Sequence, residues 1–320
     1  MQTRSITLIF NPPTTMTKSI LITGATGKQG GATLKALLQS NGDFQLIAVT
    51  RDANSASAQK LLGLSNNVKV VQGNLNNSTQ LLLDAQKTAG QPIWGVFSVQ
   101  VPLGPGQSVE IEEKQGKALV DAALAADVKH FVYTSVDRGV NGENDPTHIP
   151  HFISKFNIEK HLASKTNGSD MTWTVLQPVA FLDNFGPAGS PFASAFPTMW
   201  KVTCGGDTKL QFIAATDIGR MAAKALVEPE KYAGKKLGLA GDELTLNEAR
   251  SIFKDTVGQD LPEAPDAMAQ GILSQNDDMH KMYLWFKNIG YAVDISKVKQ
   301  ELGQVIDYKA WLQQESGYLM

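Results

Sequence analysis

The sequence predicts an α/β fold built on a doubly wound, mostly parallel sheet, with a smaller C-terminal lobe. Three observations predict it. Short apolar runs alternate with stretches of helical spacing through the first half of the 320 residues. A glycine-rich turn lies directly between the first run and the first helix, and the alternation loosens after Pro178. Apolar runs separated by helices mean parallel strands whose crossovers cover both faces of a sheet.

The elements follow in order. Ser19 to Thr23 (SILIT) reads as a buried strand, and Gly30 to Leu38 begins a helix. Gln45 to Thr50, Val68 to Gln72 and Trp94 to Val99 read as the second, third and fourth strands. Glu110 to Ala126 has helical apolar spacing, His130 to Ser135 is a fifth strand, and Thr172 to Leu176 a sixth that ends just before Pro178. Asn184 to Pro197, rich in Gly, Pro, Ala and Phe, reads as an apolar loop region. Thr216 to Leu226 reads as a helix capped by Thr216, with Asp217 near its positive end. Leu246 to Val257 is another helix, with Thr245 as its cap. There is no internal repeat, low-complexity tract or heptad array.

Composition removes several function classes. A hydrophobic fraction of 42% and a charged fraction of 19% are those of a globular protein. A net charge of -2 leaves no basic surplus for neutralising nucleic-acid phosphates, so no direct nucleic-acid partner is expected. The single cysteine, Cys204, excludes an intrachain disulfide and a Cys-rich zinc site and fits a reducing compartment. His148 and His151 have no further ligands at metal spacing, so no metal is expected. No apolar run is long enough to span a bilayer. Residues 1–17 hold one Arg, no acid and only the short apolar run Ile6 to Phe10. A targeting peptide needs more, and the segment reads as an extension ahead of the first domain. A cytoplasmic location is expected, and the nucleus is compatible with it.

The sharpest signal is Gly24-Ala25-Thr26-Gly27-Lys28-Gln29-Gly30-Gly31, which follows a buried strand and opens a helix. Gly24 permits the tight turn, Gly27 lets backbone approach a pyrophosphate, and Gly30 allows close helix–strand packing. The helix start then presents unpaired N–H groups and a positive dipole end to phosphates. A merely structural turn is the alternative, and the strand–loop–helix setting favours the phosphate loop of a Rossmann-type sheet. The second strand ends Ala48-Val49-Thr50-Arg51-Asp52. An acid there serves an NAD ribose, whereas an Arg suits a 2′-phosphate. Arg51 can stack beside adenine and donate to that phosphate, with Lys28 adding positive charge. Asp52, if turned inward, would serve NAD instead. NADP(H) is the preferred cofactor. Residues 18–180 form the nucleotide-binding core, and 181–320 a substrate-side lobe that completes the cleft, with some segments returning to the core.

These motifs together resemble the NmrA-like family, an atypical branch of the short-chain dehydrogenase/reductases. The likeness rests on GATGKQGG, VTRD, VVQGNLNN, EEKQGKALVDAA, VYTSV, HFISK, VLQPVAFLDNF and TDIGRMAAKAL. EPEKYAGKKLGLAGDELT is similar to the lobe of NADPH-sensor members. The resemblance implies cofactor contacts from Gly24, Thr26, Gly27, Lys28, Gln29, Gly30 and Arg51, with Asn74 and Leu75 near the adenine. It also implies Val99 and Gln100 after the fourth strand, Lys155 on the nicotinamide side, and Phe181, Leu182, Asp183 and Asn184 closing over the nicotinamide. Relatives commonly end the third strand Gly-Asp, whereas here it is Gly73-Asn74, which keeps the hydrogen bonding and loses the charge.

Ordinary members of that superfamily reduce carbonyls with a Ser, a Tyr and a Lys, the Tyr donating the proton. Here Ser135 ends the fifth strand, Lys155 stands in HFISK, and the Tyr position holds His151. Imidazole can donate a proton near neutral pH. His151 is thus a candidate acid, and a partly exposed histidine at a helix start is its structural alternative. Lys155 serves the ribose whether or not hydride moves, against a solvated helix lysine. Ser135 contacts substrate or merely ends a strand. Tyr133 shares a face with Ser135 by strand alternation and reads mainly as core. Phe181, Phe185, Phe192, Phe196 and Trp200 read mainly as packing, with the lining of a substrate cleft or a partner surface as the alternative, and Asp278, His280 and Lys281 as surface charge. Two functions follow. One is a redox-responsive regulator whose NADP(H) occupancy changes a surface for a protein partner. The other is an NADPH-dependent reductase of a small carbonyl, quinone or activated alkene, in which case the partner is a small-molecule substrate. The resemblance supports both, since several branches of that family keep the lysine without the tyrosine. A homodimer is compatible with either.

Overall fold

Ile20, Leu21 and Ile22 expose none of their surface, and burial on both faces makes the opening strand a central one. The computed structural model describes residues 17–319 apart from 103, 105 and 188. The expected N-terminal extension therefore lies, up to residue 16, outside the described residues. The first half runs β1 (Lys18–Ile22), α1 (Lys28–Leu38), β2 (Phe44–Thr50), α2 (Ala56–Leu62) and β3 (Val68–Gln72). It continues with α3 (Ser78–Ala89), β4 (Ile93–Ser98), α4 (Val109–Ala125), β5 (His130–Thr134), α5 (Pro150–Thr166) and β6 (Thr172–Pro178). Then come β7 (Ala180–Phe181), α6 (Pro191–Cys204), β8 (Leu210–Ile213), α7 (Ala215–Val227) and α8 (Pro229–Tyr232). The chain closes with β9 (Lys235–Leu239), β10 (Asp242–Leu244), α9 (Leu246–Val257), α10 (Asp266–Gln275), α11 (Asp277–Asn288), α12 (Ile295–Leu302) and α13 (Tyr308–Gln314).

The main sheet has seven strands in the order β3-β2-β1-β4-β5-β6-β9, and every pairing is parallel. Strand order reverses between β1 and β4, so the C-terminal ends of these two strands flank the crevice where doubly wound sheets bind ligands. One core lies between the sheet and α1, α7 and α12, with Leu34, Met221 and Val298 among its members. Another lies under α3, α4 and α5, around Leu82, Leu119 and Ile158. A second sheet, β10-β8-β7, belongs to the C-terminal lobe. The lobe core gathers Phe185, Phe196, Trp200, Phe212, Trp285 and Tyr308, and it also takes in Ile149 and Phe152 at the start of α5. The lobe and the sheet are interleaved, since β9 and α7 return to the main sheet.

Two sequence expectations need correction here. The segment read as an apolar loop becomes helical from Pro191 onward, and Pro197 lies inside α6. Proline removes a backbone donor and crowds the previous turn, at about 3 kcal/mol. Phe196, Met199 and Trp200 bury essentially all their surface on the same helix, and each large apolar side chain contributes roughly 1.5–3 kcal/mol, so burial wins. Thr216 is not the cap of α7. The helix begins at Ala215 after Ala214, and the capping acceptor comes from a distant residue, Asp183, whose Oδ2 accepts from the Ala215 N–H at 3.1 Å. By contrast, Thr245 caps α9 in a reciprocal box with Glu248.

Candidate functional site

The glycine loop leaves β1 and turns sharply at Gly24, whose φ of +58° lies in the left-handed region. Gly27 is the N-cap of α1, one turn of backbone hydrogen bonding after Gly24, and its lack of a side chain leaves the first N–H groups of α1 without a side-chain cap. Gly24, Thr26, Gly27 and Lys28 are exposed, while Ala25 is buried beneath them. Gly30 has a different task. A Cβ there would meet the Gly24 carbonyl oxygen at 2.3 Å, so α1 can cross the end of β1 this closely only with glycine. Thr23 fixes the loop to the neighbouring strand, its Oγ1 accepting from the Val99 N–H at 2.8 Å. Together these make an outward-facing, uncapped helix start at the switch point of the sheet, which is the form of an anion receptor.

The other expected cofactor residues lie along the same C-terminal edge. Gln100 is buried after β4, where its Nε2 donates to Ser98 Oγ and its Oε1 has no partner among the described residues. Arg51 is exposed just after β2. Asp52 does not turn inward, because its Oδ1 accepts from the Asn54 N–H at 2.8 Å in a local turn. Asn74 likewise spends its Oδ1 on the Asn76 N–H, and Leu75 packs against the core under α3. Gln29 Oε1 accepts from Thr134 Oγ1 at 2.6 Å, which ties α1 to the end of β5. Lys28 Nζ lies 3.2 Å from Asp183 Oδ1 and donates to the Asp183 carbonyl. Asp183 thereby joins the glycine loop to the start of α7. Leu182 is fully buried, while Phe181 and Asn184 are half-buried beside it.

His151 and Lys155 stand at positions i and i+4 on the first turns of α5. Lys155 Nζ donates to Glu112 Oε1 of α4, and Ser154 Oγ donates to Oε2 of the same fully buried carboxylate. One of the three ammonium N–H groups is thus committed. His151 Nδ1 is 2.7 Å from Asp278 Oδ1 on α11. The expectation of Asp278 as surface charge is therefore wrong, since its side chain is only 13% exposed. His280 is exposed as expected, and Lys281 pairs with Asp277. Ser135 is buried and donates to Glu159, which also holds Arg138 at 2.8 Å in a fully buried pair and has Lys236 at 3.3 Å. Burial raises the Glu159 carboxyl, but the Arg138 hydrogen bonds and charge, Ser135 and Lys236 outweigh it and hold it below the usual range. Tyr133 is core: burial, reinforced by Glu112 and Glu159, pushes its phenol well above the usual value. Of the five aromatics in the lobe segment, Phe185, Phe196 and Trp200 are fully packed and Phe192 stays partly exposed.

Sequence reasoning missed Glu112, Glu159, Arg138 and Asp278. Glu112 shares a helix face with Gly116, Leu119 and Ala123, and a charge on an apolar face is a signal that could have found it. Glu159 lies on the buried face of α5 in the same way. Asp278 left no local signal, because its partner is 127 residues away in the chain.

The NmrA-like family model matches residues 16–311. The chain belongs to the NmrA-like family. An NmrA-like family domain-containing oxidoreductase, hkm9 of Aspergillus hancockii, is 30% identical over 262 residues, covering 76% of this chain and 73% of that protein. The Citrobacter sp. triphenylmethane reductase complexed with NADP(H) superposes with a TM-score of 0.70 at 20% identity, covering 92% of this chain and 99% of that one. NmrA, a negative transcriptional regulator solved in complex with NAD, superposes with a TM-score of 0.68 at 14% identity, covering 94% and 95%. At such identities the two structures establish the shared fold. In this NmrA-like chain no helix among the described residues is long and apolar enough to cross a membrane.

Proposed function

We propose that this NmrA-like protein is an NADP(H)-dependent oxidoreductase acting on a small carbonyl, quinone or activated alkene. The observation that carries the reading is the uncapped start of α1 at the switch point, with Gly24, Thr26, Gly27 and Lys28 open outward above a buried Ala25. The residues present fit a phosphorylated dinucleotide. The three glycines leave a backbone cradle, Gln100 Oε1 is a buried acceptor without a partner, and the exposed Arg51 offers a planar, always charged fork for a 2′-phosphate. Asp52, committed to its own turn, does not compete for the ribose.

The bound nicotinamide would supply or accept the hydride. Lys155, with two ammonium N–H groups beyond its bond to Glu112, holds ribose hydroxyls, and Glu112 fixes its position at the start of α4. His151, in the tyrosine's place, exchanges a proton with the substrate through Nε2. Ser135 takes no part, because its hydroxyl is bound to the buried Glu159. Asp183 and Leu182 close the site from the lobe. The relative named an oxidoreductase and the reductase with NADP(H) among the structural neighbours support the same class of reaction.

The test is oxidation of NADPH against a panel of quinones, aldehydes and activated alkenes. Turnover that falls by roughly 100-fold in Lys155→Ala supports the reading. One observation favours regulation through cofactor-dependent conformation: Lys28, which stands on the glycine loop, pairs with Asp183, so a phosphate bound at the loop competes with a contact that reaches α7. Cofactor uptake without turnover, accompanied by a change in proteolysis pattern or oligomer size, would favour that second reading.

A further inference from the structure

We propose that Asp278 is a positioning residue for catalysis, holding His151 so that Nε2 is the ring atom that exchanges the proton; this rests on the oxidoreductase reading. The carboxylate lies in the first turn of α11 and reaches across from the lobe to the first turn of α5. Its Oδ1 accepts from His151 Nδ1 at 2.7 Å and lies 3.4 Å from the His151 backbone N–H. A carboxylate only accepts, so the neutral ring carries its hydrogen on Nδ1 and presents a lone pair at Nε2. When the ring holds a second proton, that proton is on Nε2.

The pair is a built feature rather than a surface encounter. Both side chains are 13% exposed, and no Lys or Arg among the described residues pairs with Asp278. Its Oδ2 is buried without a partner among the described residues, so nothing there pulls the carboxylate away from the ring. Phe152, next to His151, is fully buried and packs edge-on against Trp285 of α11, with ring centroids 5.4 Å apart. His151 in turn packs edge-on against Phe152 at 4.8 Å. The two helices therefore hold each other at the point where the hydrogen bond forms. A third group that fixes the tautomer and orientation of a catalytic imidazole is a known device of acid–base sites.

A hydride from the reduced dinucleotide forms a C–H bond at the substrate carbonyl carbon. The carbonyl π pair moves to oxygen, which takes the Nε2 proton of the doubly protonated His151 ring and leaves the neutral ring with its hydrogen on Nδ1. The carbonyl, reduced by the two electrons that a bound reduced dinucleotide would supply, becomes an alcohol, and solvent returns a proton to Nε2.

The test uses the full chain with NADPH. In ¹⁵N-histidine NMR, with His151 assigned by its loss in His151→Gln, the wild type shows the Nδ1–H tautomer of the neutral ring. Asp278→Asn offers an amide donor to Nδ1 and moves the hydrogen to Nε2. The same variant lowers kcat with the fastest acceptor of the panel by about 100-fold while KM for NADPH stays within about threefold, and Asp278→Glu recovers part of the loss. An unchanged tautomer in Asp278→Asn, or wild-type turnover that this variant leaves intact, overturns the role of Asp278. A tautomer switch in a protein that turns over no acceptor overturns the oxidoreductase reading and, with it, any catalytic use of the pair.

Discussion

Tyr133 shows how a side chain of catalytic type can be disqualified by where it points. It sits next to the strand end that carries Ser135, yet its hydroxyl is fully buried and unpartnered among the described residues. An unsatisfied buried hydroxyl costs about 1–3 kcal/mol, so removing it leaves no donor to strand. Tyr133→Phe is expected to leave the urea midpoint unchanged or raise it, with no effect on NADPH binding. A loss of more than about 1.5 kcal/mol would mean that the hydroxyl has a partner. Glu159 is the opposite case: it sits in a buried network with Arg138, Lys236, Gln177 and Ser135, and Ser135 is consumed by it. The sequence places Ser135 at the end of a strand in the catalytic position but carries no sign of the carboxylate that claims it. The same holds for Asp278, because pairing across 127 residues is decided by how α11 lies against α5 and not by any local spacing.

At the scale of elements, His130 joins β5 to β6 and α8. Thr174 Oγ1 donates to the Tyr232 carbonyl at 2.9 Å and is bonded to His130 Nε2, while His130 Nδ1 lies 2.8 Å from Thr172 Oγ1. Burial, with Lys18 adding to it against the opposing pull of Glu230, pushes this imidazole down to about 4. The folded state thus takes up a proton later than the unfolded chain on acidification. Its stabilising contribution is complete above the unfolded value of about 6.5 and is lost as pH falls from there toward 4. Between pH 7 and pH 4.5 that amounts to about 2 kcal/mol. Urea unfolding at the two pH values should show wild type losing about that much more stability than His130→Asn. Equal losses would show that His130 does not titrate in this way. The parallel strands β1 to β6 were legible because buried strands in a wound sheet are written as uninterrupted apolar runs. The seventh strand was not: β9 (KKLGL) is an edge strand, half-exposed along most of its length, and its lysines and glycine break the apolar signal. The helix α6 was hidden by Pro191 and Pro197, whose local preference is overruled by the aromatic packing of the lobe.

Across the whole molecule, the candidate site is assembled from both halves of the chain. The first half supplies the glycine loop, Arg51, Gln100 and the α4–α5 pair Glu112–Lys155, all along one edge of the sheet. The second half supplies Asp183, which meets Lys28, and Asp278, which meets His151. Apart from Glu112, the first set was readable from motifs, because phosphate binding by backbone amides needs glycines at fixed offsets after a strand. The second was only partly readable, since each of its contacts depends on how the lobe folds back. The cradle at the switch point is expected to hold a 2′-phosphorylated dinucleotide through Arg51. Calorimetric titration of the purified chain with NADPH and with NADH, repeated on Arg51→Ala, tests it most directly. The wild type should bind NADPH more tightly than NADH, and the variant should lose roughly 10-fold or more for NADPH with NADH little changed. Equal weakening for both coenzymes would remove Arg51 as the 2′-phosphate reader, and the absence of any binding heat with either coenzyme on folded wild type would mean that the glycine loop holds no dinucleotide.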